Sequence, residues 1–292
     1  MADSTVSISV GQARRDAQQL LAGSETAQLD ADLLLGHTLG ITRTQLLTHP
    51  ERRIAGETHV EFAALLARRS QGEPIAYLLG HKEFCGIDLR VTPAVLVPRG
   101  DTEVLVDTAL ARMNHAPRLV LDLGTGSGAV ALALADQRRD WRVIATDTSA
   151  DALIVALENC LRHDEIGMQL RLVQARWTNC FANACVDAIV SNPPYVRRDD
   201  AASYALRFEP AGALFAGDDG LEDIRFIVSD APRVLRPGGW LLLEHGSDQG
   251  SNLRFLMAEA GFDMIETLRD LAGHERVTAG QLPLQMFVRR TQ

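Results

Sequence analysis

The chain has 292 residues, 46% hydrophobic and 23% charged, ordinary for a soluble globular protein with room for two domains. Its formal net charge of −9 argues against a broad phosphate-binding surface, though not against a local basic patch. No apolar signal core opens the sequence and no run reaches membrane-spanning length, so a cytoplasmic protein without membrane contact is expected. The four cysteines, Cys85, Cys160, Cys180 and Cys185, form no Cys-x-x-Cys pair. Cys160 and His163 could share a helix face, but two ligands do not close a zinc site, so free thiols and no metal are expected.

Residues 1–75 read as a small helical bundle without chemistry. Val10 to Ala22 is helical up to Gly23. Ser24 is a candidate N-cap for a second helix carrying Leu29, Leu33 and Leu34 up to Gly40, and Thr42 or Thr44 caps a third before Pro50. Glu57 to Arg69 closes the set, with Arg68 and Arg69 where cations suit the helix dipole. Residues 76–96 are expected to form a β-hairpin linker. Its strands are Tyr77-Leu78-Leu79 and Ile87 to Val91, around Gly80 and Cys85-Gly86. From Pro98-Arg99-Gly100 onward, residues 97–292 form the larger domain, opening with a helix that starts at Asp101 or Thr102 and runs to Arg112.

Strand and helix then alternate. Strands are expected at Leu119–Leu123, Arg142–Ala145, Leu170–Val173, Val186–Val190, Trp240–Glu244, Met264–Leu268 and Gln285–Arg289. Helices are expected at Ala129–Ala135, Ala150–Leu161, Leu221–Leu235 and Ser251–Ala260, the third stopped by Pro237-Gly238-Gly239. Such alternation predicts an α/β fold, a mainly parallel seven-stranded sheet with helices on both faces.

Two loops in that frame carry chemistry. Asp122-Leu123-Gly124-Thr125-Gly126-Ser127-Gly128 joins a strand to a helix, and its glycines let a ligand approach closely. Dinucleotide folds also use a glycine loop, but the spacing here is Gly-x-Gly-x-Gly. Asp122 sits badly beside a pyrophosphate and suits a cation. Asp147, ending the next strand, suits a ribose diol. Together these favour S-adenosylmethionine, which has a ribose, an amino group and a sulfonium but no phosphate. Trp177 either covers an adenine ring or packs in the core.

The second loop is Asn192-Pro193-Pro194-Tyr195, just past the strand Val186–Ser191, where open α/β sheets place their sites. The two prolines stiffen the turn and hold Asn192 and Pro193 extended. The Asn192 side-chain carbonyl and the Pro193 backbone carbonyl are acceptors for one N–H₂ group. Tyr195 adds a flat ring for a planar amide or a base.

The glycine loop, Asp147 and the Asn-Pro-Pro-Tyr turn together resemble class I S-adenosylmethionine-dependent methyltransferases acting on planar nitrogens. The segments Gly72–Tyr77, Val97–Glu103, Arg207–Pro210, Leu241–Gly246 and Glu275–Val277 narrow the resemblance to the peptide chain release factor glutamine N5-methyltransferase family, known as PrmC or HemK. That resemblance implies a Rossmann-like domain, S-adenosyl-L-methionine as cofactor, and a protein substrate. The substrate is the side-chain amide of the Gly-Gly-Gln glutamine in class 1 release factors, with no direct nucleic-acid contact. It also implies cofactor contacts from Gly124, Thr125, Gly126, Ser127, Gly128, Asp147, Trp177 and Asn192. The glutamine is then held by Asn192, Pro193, Pro194 and Tyr195, with Asn192, Pro193 and Tyr195 as the catalytic set. A helical segment without chemistry beside a complete catalytic domain is expected to recognise the protein substrate, so that role falls to residues 1–75. Two positions depart from the family pattern: Gly100 stands where a proline is usual, and Arg176 where an acid often precedes the tryptophan.

Two other functions fit parts of the sequence. The same tetrapeptide suits the exocyclic amine of a flipped adenine or cytosine, although no basic stripe interleaved with aromatics accompanies it. A non-catalytic S-adenosylmethionine-binding protein is the other, and two intact motifs in one chain argue against it.

Overall fold

The computed structural model describes residues 8–113, 116, 118–200 and 206–284. It divides into two compact units, Met1–Gly80 and His81–Gln292. The first unit is helical: α1 (Val10–Leu20), α2 (Ala27–Leu39), α3 (Arg43–Thr48), α4 (Gly56–Ser70) and α5 (Ile75–Leu79). Thr42 and Gln45 form a reciprocal capping box on α3, and Gly40 ends α2 in the left-handed region at φ 64°. Val10, Leu34, Leu35, Leu46 and Phe62 are buried at its centre. Two buried carboxylates are paired there, Asp32 with Arg14 (2.6 Å) and Arg43 (3.0 Å), and Asp30 with Arg69 (2.8 Å). The cap of α2 is Thr26 rather than Ser24, whose hydroxyl donates to Asp30 instead.

Tyr77-Leu78-Leu79, expected as a strand, belongs to helix α5. A three-residue apolar run cannot fix its own period. Pro74 at the N-cap and Gly80 at φ 78° punctuate it as one helical turn. The hairpin starts one step later, pairing β1 (His81–Phe84) with β2 (Ile87–Arg90) in antiparallel register.

The second unit continues with α6 (Glu103–Arg112), β3 (Leu119–Leu123), α7 (Ala129–Gln137), β4 (Arg142–Asp147), α8 (Ala150–Arg162), the short α9 (Asp164–Gly167), β5 (Leu170–Gln174) and β6 (Val186–Ser191). It ends with α10 (Glu222–Val234), β7 (Leu235–Glu244), α11 (Gly250–Glu259), β8 (Asp263–Arg269) and β9 (Glu275–Gln281). The sheet order is β5-β4-β3-β6-β7-β9-β8, parallel except that β9 runs against both of its neighbours. Side chains alternate faces along each strand. Val120, Val190 and Leu242 join the core under α6 and α7, whereas Leu121, Ile189 and Leu241 join the core under α10 and α11. Burying each such aliphatic side chain contributes roughly 1.5–3 kcal/mol.

Two differences from the sequence expectations have local causes. Strand β7 begins at Leu235, before the Pro-Gly-Gly segment expected only to stop a helix. Val186 pairs with Leu235 and Ala188 with Trp240, so Arg236 to Gly239 are accommodated as an irregularity in the ladder, Gly238 at φ 81°. The last strand is Glu275–Gln281, while the expected strand Gln285–Arg289 lies outside the described residues. Thr278, Gly280 and Gln281 hide the strand pattern of β9, though Val277 and Ala279 are fully buried.

The chain runs outward through β3, β4 and β5, then returns to place β6 on the other side of β3. Loops leaving β3 and β6 therefore diverge and leave a crevice at the carboxyl ends of the strands.

Candidate active site

The crevice holds a cavity of about 210 Å³. Leu123 pairs with Ser191, so the loops following β3 and β6 leave the sheet side by side. Ser191 reinforces the junction by donating to the Leu123 carbonyl at 2.6 Å. Gly124, Thr125, Gly126, Ser127, Asp147, Trp177, Asn192 and Pro194 all line this one cavity. Gly128, Pro193 and Tyr195 stand behind it: Gly128 caps α7, Pro193 is buried in the turn, and Tyr195 is partly buried against the core.

The glycine spacing has a backbone cause. Gly124, Gly126 and Gly128 take φ of 70°, 55° and 83°, a region other residues enter only with strain. The N–H groups of Thr125, Gly126 and Gly128 are already engaged. They donate to the Thr146 carbonyl (2.8 Å), Asp147 Oδ2 (2.9 Å) and the Thr125 carbonyl (2.9 Å). A phosphate would find few free donors on this loop. The lining instead carries two carboxylates, Asp122 and Asp147, and one cation, Arg99, which is ion-paired with Glu209. Such an acceptor set fits a cationic ligand with hydroxyls, which S-adenosylmethionine is. Asp147 uses one oxygen on Gly126 and the other on the Ser149 N–H (2.9 Å), leaving each oxygen a further lone pair toward the cavity. Asp122 is buried, and burial pushes its carboxyl up to about 7, against the Thr125 hydroxyl and Ala131 N–H that favour its ionised form.

Trp177 has a left-handed backbone, φ 49°, costing about 1–3 kcal/mol for a bulky residue. Its ring lies over the glycine loop: a Cβ on Gly124 would stand 3.4 Å from it. The indole Nε1 donates to Asp223 Oδ1 at 3.0 Å. Arg176 occupies the position of the usual acid, and the carboxylate that anchors the indole comes from the first turn of α10. Gly100, the other departure, leaves the helix start intact. Gly100–Thr102 form one 3-10 turn that runs into α6.

The Asn192 side chain is oriented by a residue that the sequence marked only as a candidate helix start. Its Nδ2 donates to Thr102 Oγ1 at 3.2 Å, leaving Oδ1 as an acceptor for a ligand N–H. Glu209 was missed. It accepts the Val97 N–H at 3.0 Å as well as pairing with Arg99, and so ties residues 97–99 to residues 207–210 at the rim. Thr102, Glu209 and Glu244 all lie in segments that carried the family resemblance, but nothing in the sequence gave them a task at the site. Tyr195 Oη donates to Glu244 Oε1 at 3.3 Å.

Sequence comparisons with known proteins point to one family. Profiles for the PrmC N-terminal domain and the methyltransferase small domain match residues 12–80 and 100–209. The release factor glutamine methyltransferase of Pseudomonas aeruginosa is 46% identical over 91% of this chain and 96% of its own length. The protein of the same name from Escherichia coli is 44% identical over the same shares. Among solved structures, a Pyrococcus furiosus methyltransferase superposes with a TM-score of 0.53 at 19% identity, covering 76% of this chain and 99% of its own, a likeness of fold. With close relatives matched nearly end to end and both halves carrying its domains, this chain belongs to the release factor glutamine methyltransferase family.

Proposed function

We propose that this chain methylates the side-chain amide nitrogen of the Gly-Gly-Gln glutamine of class 1 release factors, using S-adenosylmethionine. The observation that carries the proposal is the Asn192 side chain, tethered through Nδ2 to Thr102 so that Oδ1 is free to accept, one strand away from the glycine loop. When bound, the cofactor supplies an electrophilic methyl group on a sulfonium. The chain supplies position. An amide nitrogen is a poor nucleophile because its lone pair is delocalised into the carbonyl. Asn192 Oδ1 and the Pro193 carbonyl, gripping both N–H bonds, orient that nitrogen and favour pyramidal geometry, so the gain comes from placement and fixed dipoles. Asp147, Trp177 and the loop Gly124–Gly128 hold the cofactor. Tyr195 completes the substrate side, its ring fixed through its hydroxyl.

The unit Met1–Gly80 recognises the protein substrate. Its match to the PrmC N-terminal domain supports that division, and among the described residues no cluster of side chains that could hold a metal ion is found. No described helix is long and apolar enough to cross a membrane, and a translation factor as substrate fits a cytoplasmic enzyme. Offering labelled cofactor with release factor, tRNA, rRNA and DNA in parallel tests the assignment. Label is expected on the factor alone, and label on nucleic acid alone would refute it. A chain beginning at His81 is expected to keep cofactor affinity and lose methylation of the intact factor. Full methylation by the shortened chain would remove the recognition role.

A further inference from the structure

The Asn192–Tyr195 turn is hydrogen-bonded, through Tyr195, to a carboxylate outside the cavity lining. Tyr195 Oη donates to Glu244 Oε1 at 3.3 Å. Asn192 Nδ2 donates to Thr102 Oγ1 at 3.2 Å, and the Thr102 hydroxyl favours the ionised form of the same Glu244. Accepting from Asn192 leaves the single Thr102 proton available to that carboxylate. Glu244 is the last residue of β7, 1% exposed, and pairs across the sheet with Val277 of β9. Its other oxygen, Oε2, has no hydrogen-bond partner among the described residues. A cation that influences it, Arg276 on β9, is shared with Asp101 (3.2 Å) and Asp270 (3.0 Å). A buried, incompletely paired carboxylate destabilises a fold that an apolar residue would serve better. Its place behind the reactive turn calls for a task.

We propose that Glu244 is a positioning residue for methyl transfer: acting through Tyr195 and Thr102, it fixes the turn so that Asn192 Oδ1 and the Pro193 carbonyl converge on one amide nitrogen. This rests on the methyltransferase assignment above. Glu244 touches neither substrate nor cofactor, so its loss should slow transfer at saturating cofactor and leave cofactor affinity unchanged. Because it acts through Tyr195, the two losses should not add.

The test is a double-mutant cycle in the full-length enzyme, read as the single-turnover rate on release factor with cofactor affinity measured alongside. E244A and Y195F are each expected to slow transfer by about tenfold, and the double variant by about tenfold rather than a hundredfold. E244Q keeps an acceptor for the Tyr195 hydroxyl and should recover most of the rate. Independent, multiplying losses would overturn the proposal. So would an E244A enzyme that loses cofactor affinity as steeply as rate with no recovery in E244Q, since that marks a residue needed only for folding. If E244A does not fold, T102V and Y195F form a second cycle with Glu244 in place. No hydrogen bond joins Thr102 to Tyr195 among the described residues, so coupling between them supports the shared carboxylate and strict additivity removes it. A wild-type enzyme that methylates nothing would instead sink the parent assignment.

Discussion

The loops after β3 and β6 face each other across one strand pairing, yet they are built on opposite principles. The loop Gly124–Gly128 works by leaving side chains out. Three residues at positive φ turn the backbone, and the N–H groups of Thr125, Gly126 and Gly128 are engaged within the fold. The turn Asn192–Tyr195 works by presenting side chains, each held from a distance: Asn192 by Thr102, 90 residues earlier, and Tyr195 by Glu244, 49 residues later. A backbone device is set by its own φ angles, so its damage should appear in binding and stability. A side-chain device depends on its supports, so its damage should appear in turnover.

The largest effect should come from the side-chain loop. Asn192→Ala removes one of two acceptors and leaves an amide hydrogen unpaired, an expected loss of about 2–4 kcal/mol of transition-state stabilisation. Cofactor affinity should change little by comparison. Single-turnover methylation at saturating cofactor checks this, and a near-normal rate would break the contrast between the loops.

The backbone loop should respond more weakly and in a different observable. Gly126→Ala meets no protein atom within 4 Å of the added Cβ, but it forces a left-handed residue at φ 55°. Strain of about 1–2 kcal/mol should appear in thermal stability without cofactor. If the cofactor lies against this loop, affinity should fall further than strain alone accounts for, because the new methyl group occupies the ligand's space. Calorimetric titration separates the two, and a variant with lowered stability and unchanged affinity would move the ligand away from Gly126.

That contrast also explains what the sequence made legible. Glycines at alternate positions after an apolar strand announce their backbone role, because little else requires them there. Two prolines after Asn192 announce a rigid turn in the same way, and strands β3 to β6 follow from apolar runs between helices. Thr102, Glu209, Asp223 and Glu244 were not legible, since ordinary polar residues acquire a role only through partners brought close by the sheet order. Asp223 shows the limit well. Nothing in the sequence around Trp177 signals a partner for its indole, yet α10 delivers a carboxylate to it from 46 residues away. The turn α5 and strand β9 were obscured for a related reason. Leu78 is too short a signal to set a period, and β9 takes its burial from β7 and β8 rather than from an apolar pattern of its own.

The smallest effect sharpens the comparison by asking which charge the backbone loop is built to receive. Asp122 is raised from 3.8 to about 7 chiefly by burial, with the nearby charge of Asp147 acting in the same direction. The folded, ligand-free chain therefore holds this proton more tightly than the unfolded chain does. The stabilisation so gained is complete below about pH 4 and is lost as pH rises through about 7. Glu244, raised to about 7 by burial, contributes with the same sign. Without cofactor, melting temperature should fall as pH rises toward 8, and Asp122→Asn should flatten the Asp122 share of that fall. A bound cation reverses the effect of burial, because an opposite charge favours the ionised carboxylate. Affinity for S-adenosylmethionine should then rise a few-fold between about pH 6 and 8, with proton release on binding at the lower pH. Titrations in buffers of different ionisation enthalpy measure that release directly. Asp122→Asn should abolish it and weaken the pH dependence. Equal proton release by wild type and Asp122→Asn would mean that the cationic end of the cofactor faces another carboxylate, with Asp147 the remaining one in the lining.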